Sequence, residues 1–311
     1  MNELLISVVT PTKNESQNIK KLSIEIQKIF ENLDINYEHI IIDNDSTDGT
    51  IQIIKELADQ NPKIKVILNA SDYGQIRSPF YGILQTSGDA VILITSDFET
   101  PIETIPELIS KWKKREHKVI FTKRVSSDEG YLIKRSRDLF YLFLRKISKL
   151  NLGTNITGEG IYDKEVIQIF KKNNDPFPFL RAMVPELGIE YDTVEFNQIK
   201  RKYGKSKNNF FSLFELAITS ATKYSIFPAK FFINFGFICS FFSVLIAIVF
   251  FIYKIFFWNS FELGIAPIVI GVFFLSSIQI CILGIIGQYI TFVLQYQKKL
   301  PLVIEKERIN F

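Results

Sequence analysis

The chain has 311 residues, of which 47% are apolar and 23% charged, and its formal net charge is +4. That length accommodates one sizeable α/β domain and something more, while so mild a charge, without long basic runs, gives no case for nucleic acid. Its two cysteines, Cys239 and Cys281, both fall in apolar stretches, which excludes a disulfide framework and a cysteine metal site.

The run at 4–9 is apolar and too short for the core of a signal peptide, so it is expected to be a first strand and the soluble part to remain cytoplasmic. A helix is expected at about 15–32, with Ile19, Leu22, Ile26, Ile29 and Phe30 on one face. His39 to Ile42 reads as a second strand, and Ser46-Thr47-Asp48-Gly49-Thr50 as the capped start of a second helix. Further strands are expected at 64–68, 90–94 and 119–121. Such alternation predicts a mostly parallel, helix-covered sheet with its ligand crevice at the carboxyl ends of the strands. Lys13-Asn14-Glu15, Asp43-Asn44-Asp45, Asp97 and Glu99 all fall there.

From 131 onward the pattern changes. Leu139, Phe140, Phe143, Leu144, Ile147 and Leu150 recur at helical spacing beside basic residues, and a similar amphipathic segment spans 210–224. Such helices either lie in a membrane interface or pack on a core. Between Phe231 and Gln297 the only charged residues are Lys254 and Glu262. Two transmembrane helices are expected, at about 231–253 and 263–294, each long enough to cross a hydrocarbon core of about 30 Å. Lysines flank the outer ends of this pair, so the positive-inside rule predicts a hairpin with both termini in the cytoplasm. The resulting division is a soluble domain at 1–207, an interfacial segment at 208–230, the hairpin at 231–297 and a tail at 298–311.

A carboxylate at the end of an apolar strand is suited to Mg²⁺ or Mn²⁺ beside a pyrophosphate, and Asp97 is the best placed, with Glu99 two residues on. The same acids would equally serve as caps for the helix that Pro101, Ile102 and Glu103 begin.

Ser7-Val8-Val9-Thr10-Pro11-Thr12-Lys13-Asn14-Glu15 resembles the opening motif of family 2 glycosyltransferases, and Asp43 to Thr50 is similar to that family's Asp-Asp-Gly-Ser-x-Asp-Gly-Thr segment. Ser87-Gly88-Asp89-Ala90-Val91-Ile92 resembles the lead-in to its metal motif. Arg201-Lys202-Tyr203-Gly204-Lys205-Ser206-Lys207, Gly284-Ile285-Ile286-Gly287-Gln288-Tyr289 and the closing Lys298-Lys299-Leu300-Pro301 resemble the polyprenyl-phosphate, dolichol-phosphate mannose synthase-like branch. The ordered set covers nearly the whole chain.

The resemblance implies a GT-A domain that transfers a sugar, with inversion, from a nucleotide-sugar to a polyprenyl phosphate at the cytoplasmic face of the plasma membrane. It implies that Pro11, Glu15, Asp43, Asn44, Asp45 and Ser96 hold the donor, that Asp97 and Glu99 hold Mg²⁺ or Mn²⁺, and that Asp97 and Glu159 are catalytic. Arg135, Arg137, Arg201, Lys205 and Lys207 would meet phosphates. A homo-oligomer is compatible with this reading. The sequence departs from the pattern where Thr95 replaces the first acid of the metal motif. It departs again at Glu159, where the branch has Asp followed by Phe-Arg and this chain has Gly160 and Ile161. Two alternatives are a membrane glycosyltransferase acting on a lipid-linked saccharide or glycolipid, and a non-catalytic nucleotide-sugar-binding scaffold.

Overall fold

The computed structural model describes residues 4–126, 153, 155–173, 175–198, 265–298 and 300–311, together with single helical positions between 230 and 256. The chain divides into two compact units, one of Met1–Leu142, Leu150–Asn209 and Lys299–Phe311, the other of Phe143–Lys149 and Phe210–Lys298.

The first unit is built on an eight-stranded sheet. Its strands are β1 (Leu5–Thr12), β2 (Asn36–Asp43), β3 (Ile64–Asn69), β4 (Ala90–Leu93), β5 (Val119–Ser126), β6 (Ile156–Asp163), β7 (Tyr191–Asn197) and β8 (Glu305–Ile309). The spatial order is β7-β5-β6-β4-β1-β2-β3-β8. β1, β2, β3 and β4 pair in parallel, as do β5 and β7, whereas β6 runs antiparallel between β4 and β5. The helices are α1 (Ile19–Leu33), α2 (Thr50–Gln60), α3 (Gly74–Leu84), α4 (Thr104–Lys113), α5 (Lys164–Asn173) and α6 (Leu180–Glu186).

Helices cover both faces, which is why the central strands are apolar without alternation. On one face Ile6, Val8 and Ile41 pack with Ile19, Leu22, Ile26 and Phe30 of α1 and with Trp112 of α4. On the other, Val9, Ile40 and Ile42 pack with Phe80 of α3 and Phe170 of α5. α1 carries its apolar stripe at the expected helical spacing and ends at Asp34, whose left-handed backbone (φ 51°) returns its N–H to the carbonyls of Phe30 and Glu31. The expected mostly parallel, helix-covered sheet is thus present, in agreement with a GT-A arrangement.

Three strands were not expected from the sequence. β6 approaches β5 so closely that a Cβ on Gly160 would lie 2.1 Å from the Ile120 carbonyl oxygen, and Gly160 has φ 145°. A side chain is excluded there on both counts. β7 adds an edge beside β5. The larger surprise is β8. Residues 298–311 are expected to be a tail, yet Glu305–Ile309 pairs antiparallel with β3, and Leu302 and Val303 just before it are buried with the second core cluster. The Ala70 N–H donates to the Ile304 carbonyl at 2.9 Å, and Asn310 Nδ2 donates to the carbonyls of Ala58 and Ile64 at 2.8 and 2.9 Å.

In the second unit, α7 (Ile265–Lys298) is 34 residues long. At about 1.5 Å per residue it exceeds a bilayer's hydrocarbon thickness. Its described side chains include exposed Val272, Leu275, Ile280, Leu283, Ile286, Ile290 and Val293. Ile278–Lys298 is the one segment among the described residues long and apolar enough to span a membrane. The described positions between 230 and 256 are helical as well, but most of the first expected span lies outside the described residues, as do both expected interfacial helices.

Candidate active site

The carboxyl ends of β1 to β5 and of β7, and the amino end of the antiparallel β6, share one edge of the sheet. This edge gathers most of the described residues singled out in the sequence. On the β1–β3 side, two loops are knitted together by short polar side chains. Ser46 Oγ donates to Asp43 Oδ1 at 2.5 Å and accepts the Asn14 N–H at 2.8 Å. The Thr47 N–H returns to Asn14 Oδ1 at 2.8 Å. Thr50 Oγ1 accepts the Glu15 N–H at 2.9 Å, and Asp48 accepts N–H groups of Ser16 and Thr50 at 3.2 and 3.1 Å.

The expected capping cluster therefore does something different. The N-cap of α2 is Gly49, with φ 90°, and makes no side-chain cap. Asp48, one residue earlier, takes the N–H of Thr50 at the start of α2, and the other hydroxyls and carboxylates of the cluster lock the β2 loop to the β1 loop. Asp43 is fully buried, and burial pushes its carboxyl above the usual range while the Ser46 hydroxyl and N–H pull the other way. Asn44 Oδ1 accepts from Asn69 Nδ2 at 3.1 Å and from the Tyr73 N–H at 2.9 Å, and its amide donates to Asp72, which also pairs with Lys13. Glu15 accepts from Asn18 Nδ2 at 2.6 Å. Asp45 is exposed, with φ 63°. Ser96, buried, donates to the Pro11 carbonyl at 3.2 Å, which ties the β4 loop to the same group.

At the ends of β4 and β6 the acids converge. Glu159 Oε1 accepts the Thr95 N–H at 3.0 Å and the Thr95 hydroxyl at 2.5 Å, and Oε2 accepts the Thr100 hydroxyl. Asp97 Oδ1 accepts from Thr95 Oγ1 at 2.9 Å and from the Glu99 N–H at 3.1 Å. Burial, and then the charge of Asp97, raise the Glu159 carboxyl above its ordinary value. Asp97 is half-buried. It stabilises its own loop rather than capping α4, whose N-cap is Glu103 without a side-chain cap.

Glu99 points elsewhere. Its Oε2 accepts Gln198 Nε2 at 2.9 Å and lies 3.5 Å from Arg124 Nη2. Arg124, at the end of β5, and Gln198, just beyond β7, were not singled out in the sequence. A cation closing a β-branched run was the available signal for Arg124, but the strand was expected to stop at 121. The Ser87-Gly88-Asp89 segment proves to be at the opposite edge. A Cβ on Gly88 would lie 2.6 Å from Ser7 Oγ, and Asp89 Oδ2 accepts the Leu5 N–H at 3.2 Å, so that motif packs the strand bottoms rather than meeting ligand. Arg135, Arg137, Arg201, Lys205 and Lys207 lie outside the described residues.

The family model for glycosyl transferase family 2 matches residues 7–170. A bactoprenol glucosyl transferase of Shigella phage SfX is 29% identical over 303 residues, covering 97% of this chain and 99% of its own. The prophage bactoprenol glucosyl transferase homolog of Escherichia coli K12 is 28% identical over 308 residues, covering 97% and 98%. Among solved structures, glucosyl-3-phosphoglycerate synthase from Mycobacterium tuberculosis, in complex with Mn²⁺, UDP and phosphoglyceric acid, is similar in fold. Its TM-score is 0.50 at 18% identity, over 71% of this chain and 77% of that one.

Proposed function

The chain belongs to glycosyl transferase family 2, and from that premise we propose that it transfers a sugar from a nucleotide-sugar to a polyprenyl phosphate carrier at a membrane surface. The observation that carries this reading is the edge itself: a pair of loops at β1 and β2, locked together by hydrogen bonds, lies beside a carboxylate-bearing loop at β4. The relatives named bactoprenol glucosyl transferases, matched end to end, supply the acceptor class.

In this reading the rigid β1–β2 loops, with Pro11, Glu15, Asp43, Asn44, Asp45 and Ser96, hold the nucleoside, since few of their polar groups need reorienting when it binds. Asp97 is the carboxylate that would hold a divalent cation. Among the described residues no three acids, histidines or cysteines cluster as ligands, which fits Mg²⁺ or Mn²⁺ taking one or two carboxylates together with substrate phosphates. Such a cation would offset the charge that develops on the departing nucleoside diphosphate. A lipid phosphate is largely ionised near neutral pH and attacks without a strong base. Arg124, at the rim beside Glu99, and the basic positions Arg135, Arg137, Arg201, Lys205 and Lys207 supply the cations to receive it.

The membrane arrangement has support from connectivity. β7, which ends at Asn197, and β8, which begins at Glu305, belong to one sheet, so any bilayer crossings of the chain between them are even in number. With α7 as one crossing, the apolar stretch 231–253 is the natural second, giving a hairpin whose flanking lysines place the sheet in the cytoplasm. In a version lacking Cys239 and Cys281, a cysteine introduced beside Trp258 should label from outside intact cells and one at Lys306 should not.

The function is tested by incubating membranes containing the protein with a panel of labelled nucleotide-sugars and extracting lipid. Acid-labile label that depends on added polyprenyl phosphate is the expected result. Acid-stable glycolipid, or no lipid label with any donor, would overturn it.

A further inference from the structure

Glu159 spends its oxygens in an unusual way for an acid at a catalytic edge. The residue is 7% exposed, and both carboxylate oxygens are engaged by one short segment of chain: the N–H and hydroxyl of Thr95, and the hydroxyl of Thr100. That segment carries Asp97. Three of the roughly four lone-pair positions of this carboxylate are spent on that segment, so most of its capacity is turned inward rather than toward substrate. Thr95, in turn, has a single hydroxyl hydrogen with two carboxylate oxygens in reach, Glu159 Oε1 at 2.5 Å and Asp97 Oδ1 at 2.9 Å.

We propose that Glu159 and Thr95 form a positioning pair for Asp97, in which Glu159 holds Thr95 by its N–H and the Thr95 hydroxyl hydrogen, shared between the two carboxylates, sets the direction of the Asp97 carboxylate toward the nucleotide-bound cation. Glu159 is then a positioning residue, not a group that touches the sugar. The charge absent from position 95 is supplied in space by Glu159 and not by Glu99, whose Oε2 is occupied by Gln198 and faces Arg124. A carboxylate at position 95 would put a third acid against two others, and like charges at that distance cannot all stay ionised without cost. This rests on the sugar-transfer reading above and assigns work within its site.

The test uses the full-length protein in detergent and measures the Mn²⁺ midpoint for binding of UDP, GDP and CDP, each in turn, beside melting temperature. Thr95→Val should raise the midpoint about 10-fold or more, the scale of a hydrogen bond to a charged group, while Thr95→Ser stays within about 3-fold. Glu159→Ala should move it in the same direction, and the Thr95→Val, Glu159→Ala double variant should be no worse than the worse single one, since both break one chain of contacts. Thr95→Asp should lose metal-dependent binding and regain it when Glu159→Gln is added, but not when Glu99→Gln is added. A wild-type midpoint in Thr95→Val, additive singles, or rescue of Thr95→Asp by Glu99→Gln would each overturn the pairing while leaving sugar transfer intact. Should Thr95→Val fail to melt cooperatively, the Thr95→Ser and Thr95→Asp series decides alone. A wild type that binds none of the three nucleotides with Mn²⁺ overturns the transfer reading and the pairing together.

Discussion

The two halves of the sheet's ligand edge are built on different principles. At β1 to β3 the strands are parallel neighbours, and their loops are joined by short side chains such as Ser46, Asp48 and Asn14, mostly through backbone N–H groups. At β4 to β7 an antiparallel strand is inserted, and beside the fixed Glu159–Thr95 contact the outer rim is held by longer side chains drawn from distant sequence, Glu99 with Gln198 and Arg124. Short side chains that hold backbone have few rotamers to lose and fix a surface cheaply; long ones can rearrange when a substrate arrives. The first half is suited to presenting a constant pocket, and the second to chemistry in which groups change partners.

Four substitutions probe that contrast. The largest effect is expected at Asp97→Asn, which should cut turnover about 100-fold or more by removing the charge that opposes the leaving group, with little change in melting temperature. In the rigid half the balance should reverse. Ser46→Ala removes the hydroxyl that serves buried Asp43 Oδ1 and the Asn14 N–H, leaving Asp43 only the Ser46 N–H, and should cost about 1–3 kcal/mol of stability, seen in denaturant unfolding, with donor KM rising more than kcat falls. If Ser46→Ala lowers kcat alone, the two halves do not divide their work in this way. A smaller effect is expected at Glu99→Gln. Partly exposed ion pairs are worth about 0–1 kcal/mol, so turnover should change only a few-fold, and a collapse of activity would restore Glu99 to the metal site.

The smallest effect is a control at the opposite edge. Glu38 is buried and bonded to Lys65, Ser7 and Ser87, and although burial pushes its carboxyl upward, these partners together hold it below the ordinary value. An acid whose folded pKa is lowered stabilises above its unfolded pKa and loses that contribution as pH falls through the folded one. Glu38→Gln should therefore flatten the acid limb of a melting-temperature profile below about pH 4.5 without changing metal dependence.

The same contrast governs what the sequence made legible. The β-branched runs of β1 to β4 and the acids at their ends could be read directly, because both faces of those strands are covered and the site residues sit next to apolar signals. The β6 segment, Ile-Thr-Gly-Glu-Gly-Ile-Tyr-Asp, carries two glycines and a buried acid, so no period-2 or apolar run marks it. β8, Glu-Lys-Glu-Arg-Ile, reads as a polar tail because an outer edge strand has one side in solvent. The polar cluster at 46–50 was recognisable by type, but its partners lie about thirty residues away, and composition cannot name a partner.

β8 also sets an order of events for the chain's maturation. It follows α7 in sequence but completes the sheet begun by β1, so β3 stays an open edge, and the places of Leu302 and Val303 stay empty, until the apolar helix has been synthesised. During that interval the nascent domain presents unpaired backbone able to template pairing with another copy. The apolar α7 must therefore leave the ribosome before the edge of β3 can be covered by β8. A fragment ending at 207 would keep the whole β1–β7 crevice and still behave as a protein arrested partway through its biogenesis.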